Sequence, residues 1–143
     1  MIDLKDFETH LNGISINEWE TLFALLPELR KGNEFEKEDG LENLEKEKLK
    51  SVSQVSDKTI RKIMDIIYSL NIIPVFDWKS WRFGIDILER KNLDYSTLDK
   101  ITLCKLLTCI VRENRFDPGF LDSCFKDGKM EKILTNLKND ITS

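Results

Sequence analysis

Apolar residues fall at helical spacings along most of the chain, and the most demanding stretch is DKITLCKLLTCIVRENRF, residues 99–116. At about 100° per residue, Leu103, Cys104, Leu106, Leu107, Ile110 and Val111 share one side of the helical wheel over roughly 160° of arc. A stripe of about 100° suffices for a helix lying on a core. The wider arc needs several neighbours, so the pattern predicts a central helix near 99–116. In residues 57–71, Ile60, Ile63, Met64, Ile66, Ile67, Tyr68 and Leu70 span about 200°. That predicts a second heavily buried helix packed directly on the first, opened by Ser56 or Asp57 and closed by Asn71.

The remaining elements follow from spacing and punctuation. Ile2, Leu4, Phe7 and Leu11 predict a short first helix stopped at Asn12-Gly13. Ser15 with Glu18 forms a capping-box pattern ahead of Trp19, Leu22, Phe23, Leu26 and Leu29. Pro27 interrupts that helix with a kink or restart, because proline removes a backbone bond and crowds the preceding turn. Termination is expected at Gly32. Residues 33–50 bury little beyond Leu41, Leu44 and Leu49, so they read as an acidic loop or marginal surface helix, with an acidic docking segment as the alternative. Ile72 to Phe76 reads as a buried connector held extended by Pro74. Asp77 is expected to cap a helix from Trp78 to about Arg90. Trp78, Trp81, Ile85 and Leu88 lie on one side of that helix, while Phe83 and Ile87 adjoin on the opposite side. Asp117-Pro118 has the form of a cap with proline at the first helical position. Phe120, Leu121, Cys124 and Phe125 then make a short helix ending at Gly128. Met130, Ile133, Leu134 and Leu137 make the last one, with residues 139–143 frayed. The whole is expected to be one all-α domain over residues 1–143, a compact bundle of about five to seven helices with 57–71, 78–90 and 99–116 as its core.

At 41% hydrophobic and 34% charged, the composition is that of an ordinary soluble protein. The net charge of −4 disfavours a general binder of nucleic acid or anionic membrane, which needs a positive field. It is unevenly divided. Residues 1–48 hold 13 acids and 6 bases, whereas 49–143 hold 13 acids and 16 bases. The two parts therefore attract, or the acidic one screens a basic face. No apolar run approaches the roughly 18–20 residues that span a bilayer. The opening MIDLKDFETHLNG lacks a signal-peptide pattern, and the three cysteines are odd in number. A cytoplasmic location is expected.

Candidate chemistry is sparse. His10 is the single histidine and has no clear carboxylate partner, so it reads as a surface residue. Cys104, Cys109 and Cys124 lack metal-ligand spacing, and no metal site or cofactor is expected. Cys104 and Cys124 fit apolar stripes; Cys109 falls on the polar side of its helix, where a reactive thiol is conceivable. No glycine-rich phosphate loop occurs. Trp19, Trp78 and Trp81 read as core residues rather than base-stacking platforms. The polar face of the central helix presents Lys105, Thr108, Arg112 and Arg115. These serve the helix dipole or ion pairs with Asp77, Asp117 or the acidic segment, or they recognise a carboxylate or phosphate on a partner.

Phe76-Asp77-Trp78 with Trp81, followed by Leu103, Leu106-Leu107-Thr108, Val111-Arg112, Arg115-Phe116, Gly119 and Leu121, traces an order FDWxxW … LxxLLTxxVRxxRFxxGxL. In this order residues 72–137 resemble a bacterial family catalogued only as a domain of unknown function. The resemblance implies no activity and no cofactor, and directs attention to Asp77, Arg112 and Arg115 as a set. The function expected is a small protein-interaction or regulatory module. Phe83 and Ile87, rimmed by Arg82, Asp86 and Arg90, are the candidate surface for self-association or a partner; the alternative is that other helices cover them. An enzyme built on Asp77, Arg112 and Arg115 is the second class, lacking a general base. A weak nucleic-acid binder using Lys105, Arg112 and Arg115 is the third.

Overall fold

The computed structural model describes residues 4–29, 57–90 and 94–142. Among them are seven α-helices: α1 (Leu4–Gly13), α2 (Ile16–Phe23), α3 (Asp57–Leu70), α4 (Arg82–Glu89), α5 (Lys100–Glu113), α6 (Phe120–Lys126) and α7 (Lys129–Thr142). Two short 3-10 turns, Trp78–Ser80 and Tyr95–Thr97, precede α4 and α5. No strand occurs among the described residues. The fold is an all-α bundle. The acidic stretch 33–50 and the stop expected at Gly32 lie outside the described residues.

Helix α5 is the centre, as its apolar arc requires. Leu103, Cys104, Leu106, Leu107 and Ile110 are fully buried in one continuous core cluster. Its principal neighbour is α7, which contributes Met130, Ile133, Leu134 and Leu137; α6, α4 and α1 complete the surround. The helix is started by Asp99, whose carboxylate accepts from the Thr102 backbone N–H at 2.7 Å. That side chain supplies one of the partners that a helix N-terminus lacks.

Helix α3 does not pack mainly on α5, contrary to the expectation from its apolar arc; its principal partner is α2. A wheel fixes the width of the buried face but not its neighbour. Ile63, Met64, Ile67 and Leu70 are buried, while Tyr68, counted in the apolar arc, faces outward. At the end of α3, Asn71 turns left-handed with φ 55°, a conformation asparagine tolerates better than most residues. His10 Nε2 donates to the Leu70 carbonyl at 2.9 Å, satisfying a terminal acceptor of α3 from α1.

Local punctuation was mostly legible. The Glu18 backbone N–H donates to Ser15 Oγ, which in turn donates to the Glu18 carboxylate, both at 3.2 Å. Around Pro27 the chain restarts: α2 ends at Phe23, and residues 26–29 form a further helical turn. Two caps differ from expectation. Asp117 does not cap α6. Gly119 occupies that position with φ 96°, and Asn114 Oδ1 accepts from both the Gly119 and Leu121 N–H groups at 3.1 Å. The side chain of Asp77 makes no capping bond. In place of one helix from Trp78 to Arg90 there is a 3-10 turn, a non-helical residue at Trp81, and then α4. At the other end of the chain, the expected fraying from 139 is not seen, and α7 runs to Thr142.

Candidate functional site

In the segment from Ile72 to Phe83, Phe76, Trp78 and Trp81 are half-buried against the core, whereas Phe83 is exposed. Ile72 and Pro74 are buried, and Thr108 of α5 donates from Oγ1 to the Pro74 carbonyl at 3.0 Å. Thr108 is therefore 1% exposed. It is a hydrogen-bonded core residue rather than part of a solvent-facing strip. The connector is buried only in part, because Val75 points to solvent.

Beyond Pro74 the chain lays down two groups of rings. Phe76 and Trp81 meet edge-on with centroids 5.5 Å apart, and Phe83 leans on Trp81 at 5.9 Å. Lys105, on α5, places its ammonium 4.2 Å from the Trp81 centroid and 4.8 Å from that of Phe76. In the second group Trp78 contacts Phe116 at 6.1 Å. Lys79 lies over both rings, 4.0 Å from the Phe116 centroid and 5.8 Å from that of Trp78. An ammonium over a ring face is attracted by the ring quadrupole. Neither lysine has a carboxylate ion-pair partner among the described residues.

This arrangement explains the break in the 78–90 helix. Gly84 lies directly beneath Trp81, and a Cβ there would overlap the indole carbons Cε3 and Cζ3. Trp81 leaves the helical conformation, its ring lies over Gly84 of α4, and glycine leaves room for it.

The residues singled out from the sequence are thus redistributed. Lys105 lies among the rings and Thr108 is buried, while Arg112 is half-buried and Arg115 exposed. Asp77 is exposed and forms no ion pair with either arginine. Phe83 and Ile87 line one recess of about 180 Å³ together with Asp86, Arg90, Asp94, Thr97 and Leu98. They differ in burial: Phe83 is 53% exposed and Ile87 4% exposed. Cys109 is also buried, so a reactive thiol there is overturned: burial raises it to about 12, well above the ordinary thiol value. Trp78 and Trp81 are half-buried, in contrast to Trp19, which is fully in the core.

Sequence reasoning passed over Lys79 and Phe116. The available signal was an aromatic residue just beyond the last turn of α5, where an interior residue would have fallen on the apolar stripe. Val75, Phe83 and Phe116 are 56%, 53% and 64% exposed; Phe83 adjoins Trp81 and Phe116 adjoins Trp78. Among the described residues no group of histidine, cysteine or acidic side chains could hold a metal ion. No helix among them is long and apolar enough to cross a membrane.

No curated protein and no solved structure matches the chain. A family model does match, over residues 14–142, which takes in both groups of rings and every described helix except α1. The chain belongs to DUF6508, a family of unknown function.

Proposed function

We propose that this protein is an interaction module that binds a partner protein through the face formed by Val75, Phe76, Trp78, Trp81, Phe83 and Phe116. The observation that carries this reading is the exposure of Phe83 and Phe116 beside rings that Lys105 and Lys79 lie over, with Val75 exposed on the connector. Exposed apolar patches mark interaction sites, and aromatic residues are enriched in protein interfaces. Lys79 and Lys105 keep their charges available, so the partner is an apolar segment carrying carboxylates. Three buried, neutral thiols fit a reducing, cytoplasmic setting.

Selection from a displayed peptide library tests this, with the wild-type chain as bait and Phe83→Ser/Phe116→Ser as the counter-bait. Both residues are exposed, so circular dichroism of the double variant should stay helical. Wild-type protein should enrich peptides combining aromatic or aliphatic residues with Asp or Glu, and the variant should lose them. Identical peptides on both baits would sink the proposal. Retention on single-stranded DNA or RNA that falls with salt would instead favour nucleic acid as the partner.

A further inference from the structure

A half-open cleft of about 210 Å³ lies on the inner side of Trp78, between α4, α5 and α6. Trp78, Ile85, Leu88 and Phe120 form its apolar walls, and the Cys109 side chain contributes to its lining. Two acids belong to the same lining, Glu89 from the end of α4 and Glu113 from the end of α5. Neither is ion-paired among the described residues. The cleft thus combines aromatic and aliphatic walls with two uncompensated negative charges drawn from different helices.

We infer that this cleft binds an organic ammonium ion with a small apolar body, whose charge faces Glu89 and Glu113 and whose body lies against Trp78 and Phe120. Size supports the class. An enclosed apolar cavity of about 150 Å³ holds benzene, so 210 Å³ admits one ring with a short amine arm. Charge supports it too: an anionic ligand would meet two like charges, whereas a cation is attracted by both carboxylates. Aromatic walls add attraction for a cation through their quadrupoles. The ligand could be a free amine or the side chain of a basic residue on another protein; both present the same chemistry.

Nuclear magnetic resonance titration of the full chain tests the inference, with benzylamine as the cation and benzyl alcohol as its neutral isostere. Benzylamine should move the Trp78 indole N–H and the Cys109 and Glu113 amides along one saturable curve. Benzyl alcohol should bind at least about fivefold more weakly, the loss of one exposed charge pair and its ring attraction. Glu89→Gln and Glu113→Gln should each weaken benzylamine about two- to fivefold and leave benzyl alcohol unchanged. Acetyl-lysine methyl amide with its free side-chain amine then separates the sources. Binding of it comparable to benzylamine points to a basic side chain, and weaker binding to a free aryl amine. Equal affinity for the two benzyl probes, unchanged benzylamine affinity in Glu89→Gln/Glu113→Gln, or no saturable shift in millimolar benzylamine would overturn the inference. Trp78 belongs to both sites, but these substitutions alter no residue of the partner-binding face, so their outcome is separable from that of the peptide selection.

Discussion

Thr108 Oγ1 donates to the Pro74 carbonyl across 34 positions of sequence, at 3.0 Å and out of contact with water. This bond joins the middle of the central helix to the connector that carries the rings. It also lies nearer than the alternative acceptor within the helix, the Cys104 carbonyl at 3.4 Å. Replacing Thr108 with valine keeps the shape but removes the donor, leaving a buried carbonyl unsatisfied. The expected cost is about 1–3 kcal/mol, read as a lower urea midpoint with unchanged slope. An unchanged midpoint would mean that water satisfies the Pro74 carbonyl.

Gly84→Ala sets two effects against each other. Alanine gains about 1 kcal/mol of helix propensity over glycine. Its methyl must displace the Trp81 indole, which is engaged with Phe76 and Lys105, and overpacking of this kind costs about 1–3 kcal/mol. The ring cannot move without breaking those contacts, so the net change should be destabilising. Chemical denaturation followed by tryptophan fluorescence measures it, and a shifted native emission would report the displaced ring.

The two aspartates at helix starts should behave differently. Asp99→Ala removes a formed cap from α5 and should cost about 1 kcal/mol. Asp77→Ala removes an exposed side chain without a capping bond, so its effect should stay within about 0.5 kcal/mol. Thermal or urea unfolding of both variants, under identical conditions, compares them. A cost for Asp77→Ala equal to that for Asp99→Ala would mean that Asp77 caps in solution.

The thiols make stability sensitive to alkaline pH. Burial raises Cys109 and Cys124 to about 12, from an ordinary value of 9.0, and raises Cys104 still further. Above the unfolded-state value the unfolded chain loses thiol protons that the folded chain retains. The unfolded state then binds fewer protons, so stability falls with rising pH. Their contribution is fully present below pH 9 and declines from there toward pH 12. Urea midpoints measured between neutral pH and pH 11 should fall more steeply for the wild type than for Cys109→Ala. Thiol reagents at neutral pH should label the native protein slowly and the urea-unfolded protein fast.

Helical periodicity, the Ser15–Glu18 cap, the restart at Pro27 and the turn at Asn71 could all be read along the chain, because each depends on residues within one or two turns. The width of the α5 stripe likewise announced a central helix. What local pattern could not supply was the identity of each neighbour. The apolar arc of α3 is satisfied by α2 as well as it would be by α5, and only three-dimensional packing selects between them. Thr108 and Cys109 lie on the side of the wheel that looked polar. Thr108 is buried with its hydroxyl satisfied by a distant carbonyl, and Cys109 is 2% exposed at the cleft between α4 and α6. Ile87 and Phe83 adjoin on α4 and line one recess with Asp94, Thr97 and Leu98, yet only Ile87 is buried. The sequence by itself determined where most of the helices form. Tertiary structure decided which side chains meet, because burial is a property of what packs against a face and not of the face alone.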